Sequence, residues 1–237
     1  MWPDLSHRHH QAELMDAPGL DPGSHRAALR GLDRINWFSR SADIVWKPIR
    51  SLIATEPQRT WKILDVASGG GGVAVTLAKR ARSERVTIEI LGVDVSTTAA
   101  NHAQANARGA GYDNVSFREL NVLRNPLPDD YDVVMCSLFL HHLTSEQAVE
   151  LLRKMAYAAR RLVLVNDLRR TRFGYALAWW GGRLLSRSPI VHADGPMSVA
   201  AAFTTEEALR LAEQAGLKGA KIVLRWPQRF LLSWSRP

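Results

Sequence analysis

The stretch Ile63–Gly72, ILDVASGGGG, decides the fold of this chain. An apolar, strand-like segment carries Asp65 near its end, and four consecutive glycines then lead into a helical pattern. Glycine lets the backbone turn sharply and approach a ligand closely, because no side chain intervenes. The N-terminus of the following helix presents free N–H groups and a partial positive charge. The pattern predicts a turn that receives a dinucleotide phosphate or the carboxylate of a methionine moiety, with an unliganded βα turn as the alternative.

Strand-like and helical patterns alternate downstream of Trp61, which predicts a parallel sheet with helices on both faces. Two final strand-like runs are joined at Pro227–Gln228 and suggest a hairpin. We therefore predict an α/β fold, a Rossmann-like seven-stranded and mostly parallel sheet that ends in an antiparallel hairpin. The predicted strands are Lys62–Val66, Val86–Val93, Val115–Leu120, Asp132–Ser137, Leu162–Val165, Ala220–Trp226 and Arg229–Trp234, and the helices between the first five are Gly72–Arg82, Thr97–Arg108 and Ser145–Ala159.

Segments outside this alternation are expected to form a helical cap. Residues 1–57 are predicted as a helical lead-in, and residues 58–237 as the main domain, with a helical insert at about 167–203. The helices predicted in these segments are His25–Ser39, Ala42–Ala54, Phe173–Leu185 and one from Thr204 or Thr205 to about Ala215, and Ser188–Pro196 is predicted as a loop.

The bulk composition excludes several classes of protein. With 46% apolar and 23% charged residues among 237, the chain is typical of a globular protein. The single Cys136 excludes a disulfide framework and a zinc cluster, and it fits a reducing cytoplasm. We find no apolar leader and no run long enough to span a bilayer. The net charge of +8 comes from scattered basic residues, which favours a basic surface over a nucleic-acid module.

A second acidic residue, Asp94, follows the second predicted strand in the run GVDVS. An acid at this position can accept hydrogen bonds from both hydroxyls of a ribose. A helix N-cap is the alternative, because aspartate also suits that position. Asp94 ends the next predicted strand after the glycine turn, and this order along the chain favours the ribose role.

The runs ILDVASGGGG, GVDVS and ELNVLRNPLPDDYDVVMCSLFLHHL together resemble the class I S-adenosylmethionine-dependent methyltransferases. The small-molecule group that includes the menaquinone and ubiquinone methyltransferases is the most similar. The resemblance covers residues 60–165 and, in outline, 200–237. It implies S-adenosylmethionine as the cofactor.

The resemblance also assigns residues to the methionine end of that cofactor. In the family an acid is followed by glycines at alternate positions. Asp65 matches the acid, Gly69 and Gly71 match two of the glycines, and Ala67 replaces the first, which keeps a small side chain in the turn. These residues would surround the methionine portion, while Asp94 would hold the ribose.

The adenine end is assigned in the same way. Asn121 stands where the family often has an acid, and its side-chain oxygen can accept from the adenine amino group; a plain turn residue is the alternative. Val95 and Val122 would sandwich the adenine ring, with ordinary core packing as the alternative. The predicted cofactor-binding residues are Asp65, Ala67, Ser68, Gly69, Gly71, Asp94, Val95, Asn121, Val122 and Ser137.

Candidate catalytic residues follow the fourth strand, where CSLFLHHL resembles small-molecule members of the family. It lacks the Asn/Asp-Pro-Pro-aromatic motif common in enzymes that methylate nucleobase amines. His141 and His142 are candidates for a general base, because imidazole titrates near neutrality; capping or packing at the next helix is the alternative. His192, with Asp194 able to orient it, is another candidate. No metal-ligand constellation is apparent, so no metal is predicted.

The predicted reaction is methyl transfer to an oxygen or carbon of an apolar or aromatic small molecule that is phenolic, quinone-like or polyketide-like, as in secondary metabolism. The sulfonium is already electrophilic, so the protein mainly aligns the reactants. RNA or protein methylation is the alternative. A third possibility is a nicotinamide-dependent Rossmann reductase, but the glycine spacing does not match GxGxxG. A fourth is a binding module without catalytic activity.

The acceptor is expected beneath the helical cap. The aromatic helix of the insert, together with Trp37, Phe38 and Trp46, would roof an apolar pocket. Peripheral membrane contact through that helix and its flanking arginines stays open. So does the choice between a monomer and a homodimer, whereas a nucleic-acid partner is not expected.

Overall fold

The computed structural model describes residues 3–11, 13–14, 21, 23, 27–28, 30–31, 34–35 and 40–236. Within the predicted helix His25–Ser39, the described residues 27–28, 30–31 and 34–35 are helical, and Trp37 and Phe38 lie outside the described residues. The helices from residue 40 onward are α1 Ser41–Ile53, α2 Gly72–Glu84, α3 Thr97–Gly109, α4 Ser145–Ala158, α5 Arg172–Leu185, α6 Pro189–Ala201 and α7 Thr205–Gln214, with a short 3-10 turn at Leu140–His142. The strands are β1 Trp61–Val66, β2 Ile88–Asp94, β3 Val115–Glu119, β4 Tyr131–Ser137, β5 Ala159–Leu168, β6 Lys221–Arg225 and β7 Arg229–Ser235.

All seven strands belong to one sheet, in the order β3-β2-β1-β4-β5-β7-β6. Strands β1 to β5 run parallel, and β7 pairs antiparallel with both β5 and β6. This confirms the predicted α/β architecture and its C-terminal hairpin. The strand order reverses between β1 and β4, and in open α/β sheets ligands bind in the crevice outside the carboxyl ends at such a point. The glycine stretch after β1 opens onto that crevice.

Apolar side chains cover the sheet on both faces. One core cluster includes Leu151 and Leu152 of α4, and the other includes Trp46 of α1 and Leu77 of α2. Because β1 and β4 are covered on both sides, their central residues do not alternate between buried and exposed positions. Cys136 lies fully buried in β4.

The predicted place of Trp46 above the acceptor is wrong. Its ring is 4% exposed within the core between α1, α2 and the sheet, and its Nε1 donates to Glu84 Oε1 at 2.8 Å. The apolar face of α1 packs against α2 and β5 because burying it there removes most of its area from water. The boundary between a lead-in ending at residue 57 and a main domain stays a prediction.

The start of α7 was predicted from its capping pattern. Thr204 and Glu207 form a reciprocal capping box that starts α7, as the sequence indicates. The predicted loop at Ser188–Pro196 is wrong, because α6 occupies Pro189–Ala201. Pro189 suits the first turn, where its missing N–H costs nothing, and packing against α5 overrides the Gly-Pro signal at Pro196.

Among the described helices, none combines the length and the apolar character that crossing a membrane requires.

Candidate active site

The glycine turn after β1 adopts a backbone that most residues avoid. Ala67, Gly69 and Gly71 have positive φ angles of 55°, 53° and 76°. The turn is closed by hydrogen bonds from Ser68 N to Val93 O and from Gly71 N to Ser68 O, both at 3.0 Å. It therefore leaves the N-terminus of α2 open at the carboxyl edge of the sheet.

Two of the glycines serve different purposes. A Cβ on Gly71 would lie 2.6 Å from Phe117 Cζ and 2.8 Å from Ala103 Cβ, so the close packing of the turn on β3 and α3 requires glycine. A Cβ on Gly69 would meet no atom within 4 Å, because this residue faces the cavity. Gly69 therefore leaves space for a ligand, whereas Gly71 allows the turn to pack closely against Phe117 and Ala103.

Asp94 at the tip of β2 accepts two backbone hydrogen bonds. Gly69 N donates to Asp94 Oδ2 at 2.8 Å, and Ser96 N donates to Asp94 Oδ1 at 2.9 Å. The alternative that Asp94 is a helix N-cap is wrong, because Ser96 caps α3 through its hydroxyl. The Asp94 carboxylate lines the cavity beside the glycine turn.

Asp65 is the most perturbed acid at this edge. Burial, and to a smaller extent the negative charge of Asp94, raise the pKa of the Asp65 carboxyl to about 7 from 3.8. A positive group placed beside it would favour its ionised form. The methionine ammonium of the predicted cofactor is such a group.

The predicted adenine residues also border the cavity. Asn121 Oδ1 accepts from Leu123 N at 3.1 Å and from Arg124 N at 3.2 Å, so its side chain stabilises the turn after β3. Val95 is 63% exposed and Val122 is 5% exposed. The sandwich of the adenine ring between these two valines stays a prediction.

One cavity of about 720 Å³ connects these residues with the insert. It runs from the glycine turn and Asp94 to the post-β4 turn and the inner sides of α5 and α6. Gly71 lies behind the turn and does not line it. The predicted cofactor residues that do line it are Asp65, Ala67, Ser68, Gly69, Asp94, Val95, Asn121, Val122 and Ser137.

His141 is buried in an ion-pair network beside this cavity. Its Nδ1 lies 2.6 Å from Asp167 Oδ1, and its Nε2 lies 3.6 Å from Glu13 Oε1. Burial alone would lower the pKa of His141, but the charges and hydrogen bonds of Asp167 and Glu13 outweigh it and raise the pKa to about 10. The same contacts hold the pKa of Asp167 below its usual value.

His142 lies beside His141 and also faces the cavity. Its Nε2 lies 3.8 Å from Glu13 Oε2, and its ring stacks on Phe139 with centroids 6.1 Å apart. The His141 and His142 rings are 4.3 Å apart. The structure therefore brings both predicted histidines to one end of the cavity, with Glu13 between them.

The third predicted histidine is elsewhere. His192 does not line the cavity, and its Nε2 contacts Ser186 O at 2.7 Å. Asp194 accepts from Leu14 N at 2.9 Å. The predicted pairing of these two residues is wrong, because positions i and i+2 of a helix point to different sides.

Three charged residues were not predicted from the sequence: Glu13 and Arg229, which line the cavity, and Asp167, which contacts His141. Asp167 ends a buried strand, the same signal that identified Asp94, and Glu13 lies in a polar segment with three nearby histidines. Arg229 has no such signal. It is 2% exposed, its Nη1 donates to Ser41 Oγ, and its Nε has no hydrogen-bond partner among the described residues. Burial lowers the pKa of Arg229 to about 10, against the charge of Asp167.

Residues 63–161 match the family model described as "Methyltransferase domain". These residues of the chain form a methyltransferase domain. The family predicted from the sequence is thereby confirmed for this part of the chain. The matched methyltransferase segment contains the glycine turn, Asp94, Asn121 and both cavity histidines.

Curated relatives of the methyltransferase domain are aligned over part of their length. A ubiquinone biosynthesis O-methyltransferase of Paracidovorax citrulli is 30% identical over 95 residues, 39% of this chain and 37% of that protein. A protein of the same name from Pseudomonas fluorescens is 25% identical over 118 residues, 49% of this chain and 42% of that protein. The chain therefore spans less than half the length of these relatives.

Solved structures support the fold over a larger share. Magnesium protoporphyrin IX methyltransferase from Synechocystis PCC 6803, solved with bound SAH, aligns with a TM-score of 0.58 at 18% identity, covering 94% of this chain and 91% of that one. A SAM-dependent methyltransferase from Aquifex aeolicus aligns with a TM-score of 0.60 at 17% identity, covering 91% and 98%. The likeness of fold thus extends over most of the chain, beyond the residues that the family model matches.

Proposed function

We propose that this protein binds S-adenosylmethionine and transfers its methyl group to an oxygen or carbon of an apolar, aromatic small molecule. The observation that carries the proposal is the continuous cavity, which starts at the glycine turn and Asp94 and ends under α5 and α6. A single space of about 720 Å³ can hold donor and acceptor side by side. The relatives named for ubiquinone O-methylation support the reaction type.

The donor end is assigned from its hydrogen-bonding groups. Asp94 offers carboxylate oxygens to the ribose hydroxyls, and Gly69 lets the cofactor approach the backbone. Asp65 faces the methionine ammonium, which would favour its ionised form. Asn121 and Val95 border the adenine end.

The acceptor end is mostly apolar. Leu177 and Leu185 of α5 and Val191 and Val199 of α6 line it, so a flat hydrophobic ring would be well covered. Arg229 contributes a buried guanidinium at the same end, and a phenolate or carboxylate on the acceptor would give it a partner.

The chemistry requires little more than alignment. The sulfonium is electrophilic, and the cavity would hold the acceptor atom in line with the methyl–sulfur bond. A hydroxyl acceptor must also lose its proton. His142 is the base proposed at that end, because the raised pKa of the neighbouring His141 keeps the His141 ring protonated near neutrality. Asp167 fixes the ring of His141.

An anionic membrane surface is the partner we propose for the outer face of α5. Phe173, Trp180 and Leu184 share that face and are 59%, 61% and 81% exposed. Arginines 172, 183 and 187 flank it and can meet lipid phosphates. Because the inner face of α5 lines the cavity, an apolar acceptor could pass from the bilayer into the site.

Calorimetric titration tests the donor. S-adenosylhomocysteine should bind at one site per chain, and NADH should not bind. Tight binding of NADH without S-adenosylhomocysteine would overturn the proposal in favour of a reductase. Methyl transfer from S-adenosylmethionine to a panel of phenols and quinols, read by product mass, then tests the acceptor class. RNA binding with a steep salt dependence would favour the alternative function, methylation of RNA.

Vesicle sedimentation tests the membrane contact. Vesicles containing phosphatidylglycerol should retain the protein, and the double variant Trp180→Ser/Leu184→Ser should lose most of that binding. Tyr157→Ser is the matched control, because Tyr157 is 76% exposed on α4, away from this face. Equal retention of the double variant and the control would overturn the contact.

A further inference from the structure

Three potential metal ligands converge at the acceptor end of the cavity. The Nε2 atoms of His141 and His142 lie 3.6 Å and 3.8 Å from the two carboxylate oxygens of Glu13. Ligand atoms of all three residues lie within 4.8 Å of one another. Two ligands held at about 2.0–2.1 Å from a tetrahedral Zn²⁺ are roughly 3.3–3.4 Å apart. The two histidine–carboxylate separations, each to a different oxygen of Glu13, are therefore a few tenths of an ångström wider than those of a filled site.

The buried Asp167 supplies the outer contact that such a site requires. A histidine that binds a metal through one ring nitrogen usually donates the other N–H to a carboxylate. His141 has this arrangement, because its Nδ1 contacts Asp167 Oδ1 at 2.6 Å and its backbone N donates to Asp167 Oδ2 at 3.1 Å. Asp167 thus fixes both the orientation of the ring and the nitrogen that faces Glu13.

Glu13 is held in place by its own segment. Ser198 Oγ donates to Glu13 Oε1 at 2.5 Å. On either side, Leu14 N donates to Asp194 Oδ1 at 2.9 Å and Arg8 Nη2 donates to the carbonyl of His141 at 2.7 Å. These contacts tie residues 8–14 to α6 and to the post-β4 turn. Ser198 therefore holds the carboxylate directly, and the other two contacts hold the segment that carries it.

We infer that Glu13, His141 and His142 bind a transition-metal dication such as Zn²⁺, which leaves a coordination position open to the cavity. Two imidazoles and one carboxylate suit zinc or iron better than magnesium. All three residues line the cavity, so the open position faces the acceptor. This departs from the sequence analysis, which predicts no metal.

The role of the metal rests on the proposed methyl transfer. A bound dication would displace the proton from His141 Nε2 and would make both histidines ligands instead of bases. Coordination of an acceptor hydroxyl would lower the pKa of that hydroxyl, so that its proton passes to solvent. The oxygen then bonds to the methyl carbon, while the methyl–sulfur bond breaks and its electron pair stays on sulfur. The products are the methyl ether and S-adenosylhomocysteine.

Metal binding is tested without reference to activity. Untagged full-length protein, stripped with a chelator, is titrated with Zn²⁺ in a calorimeter and with Co²⁺ under visible absorption. We expect one ion per chain and the d–d bands of a four- or five-coordinate Co²⁺. The variants Glu13→Gln and His142→Ala should each weaken Zn²⁺ binding by at least about a hundredfold, and Asp167→Asn by roughly ten- to a hundredfold.

His102→Ala is the matched control, since His102 lies on α3 and contacts Asn106 away from the site. Thermal melting and S-adenosylhomocysteine binding check that each variant is folded. Wild-type protein that binds Zn²⁺ no better than Glu13→Gln would overturn the inference and leave an ion-pair network only. If S-adenosylhomocysteine still binds in that case, the proposed function survives. If Zn²⁺ binds but S-adenosylhomocysteine does not, the metal site survives and the proposed function fails.

Discussion

The carboxylate of Asp94 accepts a hydrogen bond from the backbone N–H of Gly69, with Gly69 N and Asp94 Oδ2 2.8 Å apart. This bond joins the tip of β2 to the glycine turn that follows β1. The second oxygen of Asp94 accepts from Ser96 N, at the start of α3. One side chain therefore both shapes the turn and presents a negative charge to the cavity.

Replacing Asp94 by Ala should weaken S-adenosylhomocysteine binding by roughly ten- to a hundredfold, the loss of a charged hydrogen-bonding site. Asp94→Asn keeps one oxygen acceptor for the backbone, so its affinity for S-adenosylhomocysteine should lie between those of the wild type and Asp94→Ala. Glu119→Gln is the control, because Glu119 ends the neighbouring β3 and does not line the cavity. Calorimetry at fixed salt measures all three, and an unchanged affinity in Asp94→Ala would remove the ribose assignment.

Stability should fall as pH rises from about 4 to about 7, through Asp65. Its pKa in the folded protein is about 7, raised by burial and by Asp94, whereas the unfolded carboxyl titrates near 3.8. Between these values the folded state binds more protons than the unfolded state, so raising the pH favours unfolding, by at most about 1.4 kcal/mol per pH unit. Urea unfolding across this range should show the slope, and Asp65→Asn should reduce it.

The same carboxyl should make cofactor binding depend on pH. The ionised form attracts the methionine ammonium, so S-adenosylhomocysteine affinity should rise by up to about tenfold between pH 6 and pH 8. Asp65→Asn should flatten this rise. A rise that persists in the variant would assign the titration to another group.

Gly71→Ala should destabilise the fold more than Gly219→Ala. Both glycines have positive φ, 76° and 79°, so both substitutions cost about 1–2 kcal/mol of backbone strain. Gly71→Ala adds a collision with Phe117 and Ala103, whereas nothing lies within 4 Å of a Cβ on Gly219. We expect an additional loss of about 1–3 kcal/mol for Gly71→Ala in chemical denaturation. Equal losses would mean that Phe117 moves aside freely.

Arg170→Leu should lower the free energy of unfolding by about 3 kcal/mol, because it leaves the buried Ala202 carbonyl and the partly buried Glu207 carboxylate without this partner. The Arg170 guanidinium donates to both oxygens of Glu207, at 2.8 Å and 2.9 Å, and to Ala202 O at 2.7 Å. Arg170→Lys keeps the charge without the fork and should lose less. The exposed Arg172→Leu is the control, expected within about 0.5 kcal/mol of wild type. A loss of unfolding free energy for Arg170→Leu as small as that of Arg172→Leu would contradict the prediction.

Elements with a local cause were predictable from the sequence. The turn at Asp65–Gly72 depends on glycine conformations, and the start of α7 depends on Thr204 and Glu207, which are three residues apart. The prediction of a loop at Ser188–Pro196 was wrong, because the packing of α6 on α5 outweighs the local preference of Pro and Gly for a turn. The predicted position of Trp46 above the acceptor was wrong for a similar reason, since an apolar side chain does not by itself indicate which buried surface it packs against.

The sequence by itself determined the sheet, the glycine turn and the acid at the tip of β2, because each follows from backbone preference or from hydrophobic period within a few residues. Only the tertiary structure decided that Glu13 lies between His141 and His142, that Asp167 contacts His141, and that Arg229 borders the same cavity. These residues belong to segments far apart in the chain. Their meeting depends on how α6, the post-β4 turn and the hairpin pack, and no short-range pattern in the sequence encodes that packing.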